Sequence, residues 1–467
     1  MSLITETKTL FSRTKLKINT LITNILKGDA KTKTVITNVA YSGLIKIVTI
    51  AVSFLSVPLL INYLNATQYG VWLTILTFTS WFTLFDLGLG NGLKNKLIEF
   101  IAVDNMPLGR KYVSTTYISM SLICGSLCII IYLINPFIPW NKVFNIPVAL
   151  QGPVANATTI ILIFTLLSMV LRLINNLLHA HQKSYNVDVI NFITQLTGFL
   201  ALCFVKICFK SSLVTIALAF SLAQLAALSI VNIYMFRVKF NTLVPSVTKF
   251  ELKFTKEVLN ISGRFFFIQV AGLIMYMTDN FIIATLMGPK DVTIYNVALK
   301  YFTVLSMAWA LVLTPLWPMT TKAYYSNDIK WIKKTMEKLI IFWLATIAIG
   351  ILMFFFSNFF YKVWIGKSIF IPNDVSLIIL VYISVSIFAT IMATFINGIG
   401  KITLQVYITG LMAILNIPLA FFFAKTLGLG LIGVPFSTTV CLAISSVFAF
   451  IQCRKITNNN ATGLWNN

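Results

Sequence analysis

The chain has 467 residues, of which 58% are hydrophobic and 10% charged, and its mean hydropathy is +0.88. A water-soluble domain of this length cannot hide so much apolar surface, because single cores stop growing near this size. The formal net charge of +23 would suit nucleic acid in a soluble protein, but here the basic residues stand in the joints between apolar runs, which argues against that partner.

The first 34 residues are polar and basic. Ile18, Leu21, Ile22, Ile25 and Leu26 recur at helical spacing beside Lys15, Lys17 and Lys27, an amphipathic segment expected on the cytoplasmic membrane surface. No cleavable signal peptide is expected, since the first apolar run is too long for one. Twelve apolar runs follow, each close to the roughly 20 residues that a hydrocarbon layer of about 30 Å requires. In the first half they span 38–63, 70–93, 113–134, 158–180, 187–208 and 213–236. In the second half they span 262–287, 295–317, 338–361, 375–397, 402–424 and 430–453. Asn65-Ala-Thr-Gln68, Asn135-Pro-Phe-Ile-Pro139, Gly288-Pro-Lys290, Ile371-Pro-Asn373 and Gly398-Ile-Gly400 punctuate them as turns. At the midpoint, residues 240–259 mix Phe and Leu with Lys and are expected on the same surface as the N-terminal segment. The chain therefore divides into a cytoplasmic N-terminal segment (1–34), a six-helix bundle (35–237), an interfacial linker (238–260), a second six-helix bundle (261–454) and a cytoplasmic tail (455–467). The expected fold is an all-α polytopic membrane protein.

Basic residues set the orientation. One set of joints holds 26 Lys and Arg, the opposite set 7, and the richer side is predicted to be cytoplasmic, with both termini on it. The halves also echo each other. Tyr63-Leu-Asn-Ala-Thr-Gln-Tyr69 opens the second span, and Met287-Gly-Pro-Lys-Asp-Val-Thr-Ile-Tyr295 opens the eighth. With six spans per half the repeat is parallel, and the substrate path is expected between the halves.

Several functions are disfavoured by what the chain lacks. The longest outward joint, around Trp140 and Asn156, is about 20 residues, too short for a catalytic domain outside the membrane. His179 and His181 stand two apart, a spacing that does not face one metal from a helix. The six cysteines form no CxxC pair and read as core packing. No phosphate-binding Gly-rich loop is visible, so ATP hydrolysis on this chain is not expected. No metal or other cofactor is implied.

Charges inside the runs each cost roughly 2.5–3.5 kcal/mol to insert at mid-membrane and are expected to face a cavity; five stand out. Lys46, Asp86 and Arg172 fall about 10–12 Å deep from the cytoplasmic side, at about 1.5 Å per residue. Asp279 and Lys300 fall about 8–12 Å from the outer side. Lys46, Arg172 and Asp86 are the candidate substrate contacts; Asp279 and Lys300 are the candidate coupling or gating pair. The long Lys and Arg side chains have the alternative of reaching back to the headgroups, and Asp86, beside Gly88 and Gly90, has that of a local cap. Net positive charge on the inner side suits an anionic ligand such as a phosphate or pyrophosphate headgroup. A sugar attached to it would need a hydrogen-bonding cleft, because unpaired hydroxyls in hydrocarbon cost several kcal/mol.

Asn65-Ala-Thr-Gln-Tyr-Gly-Val-Trp72, followed by Asp86-Leu-Gly-Leu-Gly-Asn-Gly-Leu-Lys-Asn95, resembles the N-terminal signature of Wzx-type polysaccharide flippases of the multidrug/oligosaccharidyl-lipid/polysaccharide exporter superfamily. The resemblance implies two MATE-like bundles with alternating access. It implies translocation of undecaprenyl-pyrophosphate-linked oligosaccharide to the outer leaflet of a bacterial inner membrane, a cationic lumen and ion coupling. It admits a polysaccharide polymerase and a chain-length regulator as partners. Two alternatives stand beside it: a cation-coupled small-molecule exporter of the same fold, with Asp279 in that role, and a membrane polysaccharide polymerase, against which the short outer joints argue.

Overall fold

The computed structural model describes residues 30–86, 88–181, 183–366 and 369–466. The amphipathic segment expected around Ile18–Leu26 lies outside them. No strand occurs among the described residues.

The first bundle begins with α1, Ala30–Trp81, a rod of 52 residues broken at Asn65, whose φ of 67° and ψ of 170° are not helical. Unbroken, it would be about 78 Å long at 1.5 Å per residue, more than twice the hydrocarbon thickness. Asn tolerates positive φ, and the Asn65 carboxamide oxygen accepts the Gln68 N–H at 3.0 Å, which starts the second arm. Residues at nearly equal distance on the two sides of the break, Leu60 with Tyr69 and Ser53 with Leu76, line one cavity. The arms are therefore antiparallel and form the first two spans. The second arm ends earlier than its apolar run. A 3-10 turn, Phe82–Asp86, and Gly88 in the left-handed region (φ 76°) separate it from α2, Leu89–Ala102. Then come α3 (Met106–Ile134), α4 (Gln151–Ala180), α5 (Ser184–Cys208) and α6 (Leu213–Val238).

The second bundle contains α7 (Leu252–Met277) and its continuation α8 (Asp279–Met287), then α9 (Pro289–Tyr325), α10 (Ile329–Ile365), α11 (Asn373–Ile399), α12 (Thr403–Phe421) and α13 (Gly433–Thr457). The expected joints start or stop these rods for identifiable reasons. Asn105, Ser212 and Asp328 cap α3, α6 and α10 by accepting the N–H of Leu108, Thr215 and Trp331, each cap being worth about 1 kcal/mol. Gly400, at φ 82°, closes α11. Ten segments among the described residues are long and apolar enough to cross a membrane. One of these, Ser42–Leu84, contains both arms of α1, and α7 with α8 supplies the remaining crossing of the expected twelve.

Two buried clusters organise the packing. The larger joins the halves: Leu64, Trp72 and Ile75 of α1 share it with Ile283 of α8 and Val292, Ala298 and Phe302 of α9. The smaller lies at the basic end of the first bundle, where Leu93, Leu97, Val113 and Leu173 pack with Phe240 and Leu243 of the linker and with Phe254 and Val258 of α7. The linker runs as two 3-10 turns, Asn241–Leu243 and Val247–Lys249, strapped onto α3, and its last residues from Leu252 already belong to α7. Ser246 N–H donates to Ser114 Oγ at 3.1 Å, Glu251 N–H donates to Thr115 Oγ1 at 3.1 Å, and Lys111 meets the Glu251 carboxylate at 2.7 Å. Outside the spans, the Glu251 carboxyl is held below its ordinary range, first by the Lys111 hydrogen bond and then by that of Lys253.

Candidate functional site

Between the halves, a cavity of about 480 Å³ is walled by both arms of α1 and by α4, α5, α6 and α9. Arg172 of α4 and Lys300 of α9 both line it, and among the described residues no carboxylate does. The Arg172 guanidinium donates to Asn191 Oδ1 of α5 at 3.3 Å. The Lys300 ammonium crosses to the first bundle and donates to Ser53 Oγ of α1, and it stands 5.9 Å from the centre of the Phe54 ring. Gln195, one turn beyond Asn191, is fixed by its hydrogen bond to the Thr49 carbonyl at 3.1 Å. Gln224, Asn296 and Trp72 are also part of the polar and aromatic wall. Two cations ringed by amides and hydroxyls can hold an anion, the guanidinium by its fork and the ammonium as a point charge. The neutral groups can pair hydroxyls that would otherwise be stranded in an apolar medium.

The remaining candidates fall elsewhere. Lys46, expected beside Arg172, does not line the cavity. It is 45% exposed and lies 4.0 Å from Asp188 of α5, an acid that the reading of intramembrane charges passed over. Asp86 does not line it either; its carboxylate accepts the Gly88 N–H at 2.6 Å, which is the local cap held open as its alternative. Asp279 is 3% exposed in the second bundle. Its two oxygens accept the Tyr295 hydroxyl at 2.9 Å and the Thr438 hydroxyl at 3.1 Å. Asp279 and Lys300 are therefore not paired here: Lys300 points across the cavity to Ser53 instead. They share a depth, but they lie on different faces of their helices, and depth was all that the spacing in sequence could supply.

The amides were also legible in part. Asn191 and Gln195 stand four apart inside an apolar run, which puts them on one helical face. Nothing in the sequence tied that face to Lys300, more than 100 positions away.

The two halves are bonded to each other from the turns remote from the basic joints down along the second arm of α1. The Thr293 hydroxyl donates to the Ala66 carbonyl at 2.6 Å, Asn280 Nδ2 donates to Thr77 Oγ1 at 2.8 Å, and Trp81 Nε1 donates to the Met277 carbonyl at 3.2 Å. Each of these bonds joins one half to the other.

Residues 35–324 match the family described as "Polysaccharide biosynthesis protein", and residues 265–422 match the MatE family. A Salmonella typhi protein named for O-antigen transport is 22% identical over 395 residues, 84% of this chain and 89% of that protein. A Yersinia pseudotuberculosis protein named for O-antigen export is 22% identical over 366 residues, 76% of this chain and 82% of that one. Among solved structures, an inward-facing MATE-family multidrug transporter of the MOP superfamily superposes with a TM-score of 0.71 at 15% identity, covering 88% of this chain and 98% of its own. A MOP-superfamily transporter from Pyrococcus furiosus gives 0.65 at 14% identity, covering 94% and 98%. At these identities the structural likeness carries the fold alone.

Proposed function

The chain belongs to the family of polysaccharide biosynthesis proteins, and from that premise we propose that it flips oligosaccharide units linked to undecaprenyl pyrophosphate across a bacterial inner membrane. The carrying observation is the acid-free cavity holding Arg172 and Lys300. The pyrophosphate meets the two cations, the first sugars meet Asn191, Gln195, Gln224 and Asn296, and the polyprenyl tail stays in the bilayer. Lys300 thus joins Arg172 as an anion contact. Lys46, paired with Asp188 at the basic end, is a contact met on entry. Asp279, an acid buried in the second bundle, is the candidate group for ion coupling. Multidrug-type export of cations fits less well, because its acid would have to face the cavity and Asp279 does not.

The basic joints face the cytoplasm in this reading, so the cavity fills from inside while the remote ends are shut, and the bundles rock to release cargo outside. Surface-polysaccharide polymerase and chain-length regulator are the expected receivers. The test is a deletion strain. Lipid-linked repeat units should stay on the cytoplasmic leaflet and surface polysaccharide should be lost, with recovery on re-expression. Normal surface polysaccharide in a deletion strain with no related flippase would rule the reading out.

A further inference from the structure

The two turns that echo each other in sequence meet in space. The first is the Asn65 break with the start of the second arm; the second is Gly288–Thr293, at the α8–α9 joint. Beyond the Thr293 to Ala66 hydrogen bond, the Gly70 backbone lies directly on the Pro289 carbonyl. A methyl group at Gly70 would fall 1.6 Å from that oxygen, 2.5 Å from its carbon and 3.0 Å from Thr293 Oγ1. The obstructing atoms are backbone. They sit in the first turn of α9, behind Gly288 at φ 102° and a proline of fixed φ, so they cannot swing aside as a side-chain tip would. Below this contact, Asn296 Nδ2 donates to Asn280 Oδ1 at 2.7 Å and Asn280 donates to Thr77. To one side, the Thr285 hydroxyl, which donates to the Phe281 carbonyl at 2.9 Å, lies 3.3 Å from the Val143 carbonyl. Every group in these contacts is uncharged.

We propose that the paired turns are the gate at the remote end of the cavity, and that Gly70 is the positioning residue that lets the gate shut. Closure needs backbone-to-backbone approach, and only a residue without a Cβ permits it. Ordinary contact between carbon and its neighbours is about 3.5–4.0 Å, so a methyl at position 70 holds the turns apart by about 2 Å or more. The protein then rests with its remote end open. The proposal concerns motion and not cargo, so its distance readout is independent of what the cavity carries, while its transport readout rests on the function proposed above.

The test is a distance measurement across the remote end. Val148 and Phe370, 72% and 78% exposed on joints of different bundles, are replaced by Cys in full-length protein lacking the six native cysteines. They are then spin-labelled and measured by double electron–electron resonance in lipid nanodiscs. Gly70→Ala should move the distribution to distances longer by at least about 2 Å, with transport lost. Alanine is a better helix former than glycine, so folding of the arm is not at risk from the substitution itself. Gly43→Ala, in the other arm of the same helix, places its methyl within 4 Å of nothing and should change neither readout. Thr293→Val, which loses the hydrogen bond and keeps the shape, should give a smaller shift in the same direction. As a second arm, a short thiol-specific bridge between Ala66→Cys and Thr293→Cys should fix the short distance and stop transport until it is cleaved. A parental distance distribution in Gly70→Ala, or transport continuing through an intact bridge, overturns the proposal.

Discussion

The cavity between the bundles and the interior of the second bundle treat charge in opposite ways. In the cavity, Arg172 and Lys300 line open volume together and no acid among the described residues stands with them. In the second bundle, Asp279 is closed in at 3% exposure and met by two neutral hydroxyls, Tyr295 and Thr438. A cation beside a cavity can keep water or a ligand for company, and so keeps its charge at moderate cost. A sealed carboxyl group has only the protein to satisfy it, and removing one partner leaves a buried polar atom unmade. The first arrangement leaves charge beside open volume; the second ties α8 to α9 and α13 through the Asp279 carboxylate.

Substitutions that break this contrast should do so unequally. The largest effect is expected in the cavity. A hydrogen bond to a charged group is worth about 1.5–3 kcal/mol, so Arg172→Gln or Lys300→Gln should each lower transport of lipid-linked oligosaccharide in proteoliposomes by roughly 10- to 100-fold. The double variant should fall further, and thermal unfolding should barely move. Arg172→Lys should retain part of the activity, because charge remains but the planar fork is lost.

In the second bundle the order reverses. Tyr295→Phe leaves Asp279 with one hydroxyl partner and should cost about 1–3 kcal/mol of stability, read as a lower unfolding temperature in detergent. Unchanged unfolding would mean that Asp279 does not depend on Tyr295. A smaller quantity sharpens the comparison: in a double-mutant cycle on transport, Asp279→Asn and Lys300→Gln should add to within about 0.5 kcal/mol. A larger coupling would show that the two meet in another conformation.

The smallest effect belongs to the linker strap. The Glu251 carboxyl is held below its ordinary value of 4.5, chiefly by Lys111. A depressed carboxyl stabilises the strap above its unfolded value and loses that stabilisation as pH falls through the lower folded value. Unfolding temperature should therefore decline as pH drops below that ordinary value, and Lys111→Met should flatten that limb slightly. The pair is exposed, so the change should be small.

The resemblance carried by Asn65–Trp72 and Asp86–Asn95 and the repeat at Tyr63–Tyr69 and Met287–Tyr295 were both visible without coordinates, yet they led to different places. The residues after Asp86 turned out to hold a break, with Asp86 capping it, and not the cavity. The repeat turned out to be a contact, because two turns at the same end of parallel repeats are brought together by the packing of their bundles. Asp188 was missed because it stands at the entrance of an apolar run, where an acid attracts no notice until Lys46 is seen beside it.

What the sequence by itself determined is the class of solution: apolar runs of membrane length leave the backbone no choice but helix, basic joints bias the orientation, and Asn65, Gly288 and Gly400 set where rods must stop. These are local or one-dimensional properties, readable from spacing. Only the tertiary structure decided which intramembrane charges share a space. The depth of Lys46, Asp86, Arg172, Asp279 and Lys300 follows from counting residues along a helix, but the direction in which each side chain points depends on how the helices rotate and pack. That rotation puts Lys300 with Arg172 rather than with Asp279, and lays Gly70 on Pro289.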